Sequence, residues 1–523
     1  MIEKDVLIIG SGIAGLSFAL KIAKARPDLS ICLITKSNKA ETNTRYAQGG
    51  IAVVLDKLTD SYQQHIDDTM KSGGGLCNKK VVEMVVKKAP ERLKELLEWG
   101  VEFDKNPNGD FSVALEGGHS YPRILHHKDF TGFEIEKKLL RYIRQYPNIT
   151  IHPHYFAIDL ITKLSDNSNI KTCYGAYVLN EKDNSVNMIK AKVTMLASGG
   201  SGQVYKTTTN PLIATGDGVA MAQRAGAKIN DMQFIQFHPT AFYDKNINPS
   251  FLISEAVRGF GAYLVNNEGI RFIFEYDIRG ELATRDIVSK AIYCELWKSG
   301  KENVYIDCRH LNIKDFIYHF PGIYNYCIKN GIDISKHLIP VVPAAHYQCG
   351  GIAVNEHSET STSNLYACGE CSFTGLHGVN RLASNSLLEA IVFSHEASLQ
   401  LLKTIDSIKK QLPVSYISFY TKKADSKNIT SYKNKINELM TFYAGIVKSE
   451  SALKIALNKL FELEIKICEE FKDCFPQTDL MEIKNMLCVA QLIIHQSLNY
   501  MAISPINSIK NISKLKMAEP VKI

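Results

Sequence analysis

No apolar run in this 523-residue chain approaches the roughly 20 residues that cross a bilayer, so no membrane-spanning segment is expected. The first residues also lack an export signal, because Glu3 and Asp5 precede a short apolar run that ends at Gly10. Long basic blocks are missing. Lysine pairs such as Lys79-Lys80 and Lys87-Lys88 are scattered, and a net charge of +7 reads as solvated faces, which excludes a nucleic-acid track. Of 12 cysteines only Cys368 and Cys371 form a CxxC pair, so zinc spacing is lacking and no metal site is expected. Isolated cysteines without an export signal point to reduced thiols in the cytoplasm. Repeats and low-complexity tracts are absent. What is present is an ordinary globular composition, 45% hydrophobic and 22% charged, in a chain long enough for two to four domains. Its mild positive field favours anionic small molecules.

Short periodic runs give the organisation. Asp5–Ile9 reads as a buried strand, Leu16–Ala25 as a helix and Ser30–Thr35 as a second strand. Such a βαβ unit predicts an α/β fold with a parallel, Rossmann-like sheet. Further strands are expected at Lys192–Ala197 and Asn364–Cys368, so the sheet is assembled from distant parts of the chain. The boundaries that follow are 1–231 and 348–405 for two parts of one cofactor-binding domain, and 232–347 for an inserted α+β capping domain. A helical bundle over 425–523 comes after a Lys- and Ser-rich connector that contains Pro413. The bundle rests on helical patterns at Lys435–Val447, Ala452–Phe471 and Leu480–Leu498. The second carries the stripe Leu453, Ala456, Leu457, Leu460, Phe461 and Leu463.

Gly10-Ser11-Gly12-Ile13-Ala14-Gly15 follows the first strand and opens the first helix, the context of a dinucleotide-binding turn. Gly12 lets the backbone approach a pyrophosphate, which the helix N-terminus then holds. The second strand ends in Thr35-Lys36 where an acid would grip a ribose, which on its own suggests a ribose phosphate; other segments argue for a flavin. Asn43-Thr44-Arg45-Tyr46-Ala47-Gln48-Gly49-Gly50 suits a chain lying against a flat ring. Leu365–Glu370 is a strand ending in an acid, and Asp217 opens a helix over Val219–Ala225. In Gly375–Ala390 a loop with His377, Asn380 and Arg381 leads to Ser386, three residues before Glu389. This capping-box spacing predicts a helix whose positive end faces the loop. His238 (in QFHPT), Arg285 (in ATRD), His346 (in PAAHY) and Arg381 would clamp a dicarboxylate if they converge, since guanidinium forks fit carboxylates.

Taken in order, NTRYAQGG, QFHPT, ATRD, PAAHY and HGVNRLASNSLLEA resemble the succinate dehydrogenase and fumarate reductase flavoprotein family. The resemblance covers residues 3–400 and, loosely, the helical tail. It implies an FAD-binding domain with a capping domain, and FAD held by the glycine turn, Lys36, Asn43–Gly50, Ala157, Asp217, Glu370, Ser386 and Leu387. Asn43 stands where the membrane-complex members carry a histidine joined to FAD, so the flavin is expected to be non-covalent; the aspartate-oxidising branch usually has serine there. Glu116 marks that branch, where it faces the amino group that aspartate has and succinate lacks. The resemblance therefore implies oxidation of L-aspartate to iminoaspartate, the first step of de novo NAD synthesis. Dioxygen or fumarate would be the electron acceptor, quinolinate synthase a fitting partner, and a soluble fumarate reductase or succinate dehydrogenase flavoprotein the alternative. His238, Ser254, His346 and Arg381 would hold the two carboxylates, with Arg285 beside the reacting carbons. Two departures are expected to matter: Asn499–Pro505 replaces an Arg-Glu-Ser-Arg-Gly-x-His-like run, and Phe260 replaces a glutamate, which is expected to alter the cleft rim.

Overall fold

The structure is a computed structural model that describes residues 2–56, 58–164, 170–409 and 422–503. Its central sheet has seven strands. Ile149–Pro153, Ile31–Thr35, Ile2–Ile9 and Ser185–Leu196 run parallel in that order. Beyond Ser185–Leu196 the neighbour changes along the strand. Its first half pairs antiparallel with Lys171–Asn180, followed by Tyr155–Leu164, and its second half pairs parallel with Leu365–Ala367. Val6, Leu7, Ile8 and Ile9 are all buried, because a parallel strand covered on both faces needs an unbroken apolar run. The helix Ile13–Ala25 packs one face of the sheet against Asn385–Thr404. Gly15 permits the tight turn between the first strand and this helix: a Cβ there would strike the carbonyl oxygen of Gly10.

The segment after Met232 builds its own four-stranded antiparallel sheet, in the order Ile235–Phe242, Ile339–Gln348, Val304–Asp307 and Tyr263–Val265. Its apolar core, with Ile253, Val257, Ile292 and Val341, is separate from those of the central sheet. In chain order its first and last strands, Ile235–Phe242 and Ile339–Gln348, lead from and back to the central domain, and His238 and His346 on them line the same cavity as the glycine turn.

Three helices close the described chain: Ser426–Tyr443, Glu450–Glu470 and Thr478–Ile503. They do not form a separate core. Leu7, Ile9, Met221, Ile436, Leu453 and Ile483 belong to one buried cluster, so the bundle covers the second face of the central sheet through the helix Asp217–Arg224. In the expected stripe Leu453, Ala456, Leu460 and Leu463 are buried, while Phe461 is 41% exposed and meets only the edge of the last helix, at the His495 ring.

Two expectations need correction here. The helix Thr478–Ile503 is long and apolar enough to cross a membrane by length and composition, with mean hydropathy 1.3 over its best window. Charged residues at Asp479, Glu482 and Lys484 hide this in the sequence. In this fold Leu480, Ile483, Leu487, Ile493 and Ile494 pack into the shared core. The departing run Asn499–Ile503 continues that helix; Tyr500 meets Phe234 edge-on at 5.1 Å, while Ser504 and Pro505 lie outside the described residues. Just before it, Gln496 accepts from the Met232 N–H at 2.7 Å and donates to the Ile229 carbonyl at 2.8 Å, so the tail is docked without the family run. Expected Pro413 and most of its connector also lie outside the described residues.

Candidate active site

A cavity of about 390 Å3 runs from the glycine turn to the inserted sheet. Gly10, Ser11, Gly12, Ile13, Ala14, Lys36, Asn43, Thr44, Tyr46, Ala47, Gln48, Gly49, Gly50, Ala157, Asp217, Glu370, Ser386 and Leu387 line it, together with Glu116, His238, Ser254, Arg285, His346 and Arg381. Two expected cofactor residues stand outside the lining. Gly15 is turned to the sheet, and Arg45 lies over the Phe133 ring at 4.9 Å.

At the glycine end Gly10 has φ +118, which an L side chain rarely adopts, and a Cβ would strike the Ala197 carbonyl. Gly12 has no backbone against its missing Cβ; only the Thr44 hydroxyl approaches, and that hydroxyl also accepts from the Ile13 N–H at 3.1 Å. Asn43 donates to Glu370 at 2.7 Å, and Gln348 N–H donates to the other Glu370 oxygen at 3.1 Å. Burial pushes the Glu370 carboxyl up, against the Asn43 bond. Lys36 is saturated: it donates to Thr215 at 2.7 Å and to Asp217 and Glu482 at 2.6 Å each.

The expected capping box does not form. The helix starts at Asn385 with Ser384 as its cap residue at φ +60, and no side chain caps it. Ser386 accepts instead from Arg381 at 3.0 Å, and Glu389 is held by Thr374 at 2.5 Å and by His377 at 3.0 Å. The N–H groups of this helix start thus remain free to face the cavity that Ser386, Leu387 and Ala390 line. His377 and Asn380 turn away into packing; Asn380 donates to Asp286 at 3.0 Å and accepts from Gln236 at 2.6 Å.

The opposite end gathers charge from four separate chain regions. Arg285 donates to Glu255 at 2.6 Å and to Gln236 at 3.0 Å. Glu255 also faces Arg258 at 3.3 Å. Burial works against ionising Glu255, yet Arg285 and Arg258 outweigh it and hold the carboxyl below its ordinary value. Arg381 stacks on Tyr347 at 4.3 Å, and burial together with Arg285 lowers its guanidinium. His238 and His346 meet edge to face at 5.1 Å. Burial, then the nearby guanidiniums, drives both imidazoles well below their ordinary range, so both are neutral. His238 Nδ1 accepts from the Thr240 N–H at 3.2 Å, which puts its proton on Nε2. His346 meets the Thr209 hydroxyl at 2.7 Å. Ser254 caps a short helix by accepting from Ala256 at 3.3 Å, leaving its own hydroxyl proton free. Glu116, 3% exposed, accepts from Ser384 at 2.6 Å. Burial first and Glu255 second push its carboxyl up, while Ser384, Arg285 and Arg381 pull it back.

His238 Nε2 and Arg381 Nε are buried without a hydrogen-bond partner among the described residues. So are Ser11 Oγ, Gln48 Oε1 and Ser198 Oγ, toward the glycine end. Polar atoms this buried are paired in finished structures. In the cavity lining, His238 Nε2 and Arg381 Nε are donors open to an anion at the charged end, and the unpaired atoms toward the glycine end are mostly hydroxyls.

The profile of the FAD binding domain family matches residues 5–387. L-aspartate oxidase, chloroplastic, of Arabidopsis thaliana is 43% identical over 94% of this chain and 79% of its own length. L-aspartate oxidase of Yersinia pestis is 42% identical over 94% of this chain and 92% of its own. This chain belongs to the L-aspartate oxidase family. A solved E. coli quinol fumarate reductase chain superposes with TM-score 0.86 at 30% identity, covering 95% of this chain and 89% of that one.

For an L-aspartate oxidase family member the cofactor is FAD, and the glycine end fits it: an open backbone at Gly12, orphan hydroxyls, and a helix start for an electron-rich ring. Sequence reasoning missed Glu255 and Arg258, which join Arg285 in one buried ionic chain. The signal was available: Glu255 and Arg258 sit at helical spacing directly after the capping Ser254. The expected role of Phe260 at the cleft rim is also corrected. It packs inside the cap against Phe320 at 5.4 Å and His319 at 5.3 Å and does not line the cavity.

Proposed function

We propose that this chain oxidises L-aspartate to iminoaspartate, the opening step of de novo NAD synthesis. FAD is held non-covalently, and dioxygen or fumarate takes up the electrons. One juxtaposition carries the reading: the buried acid Glu116 shares a cavity with Arg285, Arg381 and two neutral imidazoles. At this end three guanidiniums (Arg285 and Arg381 in the lining, Arg258 behind it on Glu255) oppose two carboxylates (Glu116, Glu255), a local net charge of +1 when both acids are ionised. Aspartate carries net charge −1, and its ammonium would find Glu116 while its carboxylates find Arg381, the Nε2–H of His238, His346 and Ser254. FAD, when bound, supplies the two-electron acceptor for the hydride of the substrate Cα. The nitrogen loses one proton, which Glu116 could accept as the carboxylate lining the cavity where the ammonium would sit. Arg285 stands as a fixed cation, aligned by Glu255 and Gln236, and holding the substrate in one orientation provides much of the rate.

Asn43 supports the non-covalent reading, since an amide engaged with Glu370 offers no bond to the flavin. We read 1–231 with 348–405 as the FAD-binding domain, 232–347 as its cap and 425–523 as the helical domain. All 12 cysteines are free thiols, which suits the cytoplasm. Iminoaspartate hydrolyses readily, so hand-over to quinolinate synthase completes the proposal.

The test is an absorbance spectrum of purified protein before and after anaerobic L-aspartate. Bleaching of the flavin band by aspartate, and release of all yellow colour on acid precipitation, are expected. Bleaching by succinate but not aspartate would overturn the choice of substrate. The buried chain Arg285–Glu255–Arg258 favours that second reading, fumarate reductase chemistry, because it suits proton delivery to a carbon.

A further inference from the structure

Lys36 ends the second strand at the cofactor cavity, and its three ammonium protons are all committed inside the protein. One acceptor, Glu482, belongs to the last helix of the bundle, 446 residues further along. One turn on, Asn485 donates to the second oxygen of Asp217 at 2.8 Å and accepts from Arg224 at 2.9 Å. One more turn brings Val489 over Gly216, where any Cβ would collide with it. Residues 482, 485 and 489 form one face of a helix, and that face lies on the start of the helix Asp217–Arg224, whose first residue lines the cavity. Val489 on this face serves ordinary packing. A saturated lysine shared between a strand end, a helix start and a distant helix does more, because it fixes where all three stand relative to the cofactor.

We propose that Glu482 is a positioning residue for FAD. Through Lys36 and Asp217 the helical bundle forms part of the cofactor site, so cofactor loading and bundle docking are coupled. The inference rests on the reading that FAD lies beside Lys36 and Asp217. The cluster holds one ammonium and two carboxylates, each about nine-tenths buried. Without Glu482 the lysine has one free donor and is held by Thr215 and Asp217 alone, and Asp217 keeps only Asn485 as its anchor to the bundle. Coupling is reciprocal: if docking favours FAD, FAD must tighten docking by the same factor.

The experiment measures FAD dissociation constants of the full-length apoprotein by flavin fluorescence for wild type, Glu482→Gln, Lys36→Met and the double variant. Glu482→Gln is expected to weaken FAD about tenfold, and in the Lys36→Met background it should add less than twofold, because its route is gone. Gln491→Ala, a control whose side chain bonds Glu464 within the bundle, should leave FAD affinity within twofold. Hydrogen exchange supplies a second readout that needs no variant to fold: adding FAD to wild-type apoprotein should slow exchange in 478–503. A full Glu482→Gln loss persisting in the Lys36→Met background would reduce Glu482 to a structural role. Unchanged affinity with unchanged exchange would overturn the coupling outright. Either result leaves the FAD reading intact; only failure of wild type to bind FAD would remove that.

Discussion

Glu116→Gln separates recognition of an amine from recognition of a dicarboxylate. The side chain is buried beside Arg285, Arg381 and Glu255, so an ammonium docking there would be a desolvated, hydrogen-bonded ion pair. Removing one member of such a pair costs about 3 kcal/mol, roughly a hundredfold in kcat/KM. Succinate has no ammonium and carries net −2, so it prefers the pocket with Glu116 protonated, when the three guanidiniums and Glu255 leave net +2. The glutamine variant mimics that state and should process succinate, or bind fumarate, at least as well as wild type. The same logic sets the pH dependence. Burial and Glu255 raise the Glu116 carboxyl above the ordinary carboxylate range. Productive aspartate needs the ionised acid, so kcat/KM for aspartate should rise with pH through that titration, while binding of succinate should fall. Steady-state kinetics with both substrates across pH, alongside anaerobic flavin reduction, check this. Equal losses for the two substrates in Glu116→Gln, or an aspartate profile that keeps its rise in the variant, would refute the role of the acid.

Arg285→Leu should cut aspartate-dependent flavin bleaching, followed by stopped flow, by at least about a hundredfold. It should also lower stability in urea by about 3 kcal/mol, because Glu255 is left buried beside Arg258 alone. Arg123→Met should cost about 3 kcal/mol by leaving the buried Asp60 without its cation, while Asp68 keeps its bonds from Ser120. It should also lower kcat, since Arg123 feeds His119 Nδ1 at 2.9 Å and His119 then reaches the Ala383 carbonyl at 3.0 Å, tying the Glu116 loop to the Arg381 loop. Glu136 is raised by burial from 4.5 to about 8 despite a bond from Thr42. The folded state therefore favours its protonated form, so the contribution of this group to stability is fully present below pH 4.5, is lost as pH rises toward 8, and is flat above. Glu136→Gln should recover on the order of 4 kcal/mol at pH 8–9 and nothing at pH 4.5, read from urea midpoints at both pH values.

What the sequence made legible was local. The glycine turn declares itself because a strand, three glycines and a helix stand within a few residues of one another. The four cationic motifs are visible as residue types in unusual contexts. Their meeting was not visible, since Arg285 opens a helix packed on the inserted sheet while Arg381 follows the last strand of the central sheet, and only the fold brings both to one cavity. The capping box failed for a related reason. Ser386 and Glu389 have the right spacing, but Arg381 claims the serine, and Thr374, His377 and Tyr347 claim the glutamate. A local rule loses when buried partners outbid it, and a buried carboxylate with three donors is worth more than one helix cap. The bundle was legible as helices yet not as part of the site. The sequence separates Lys36 from Glu482 by nearly its whole length, and a glutamate between Asp479 and Lys484 in the first turns of a helix reads as a solvated residue. Its burial against an ammonium is what ties the two ends of the chain, so the last helix belongs to the cofactor's surroundings by electrostatics and not by proximity in sequence.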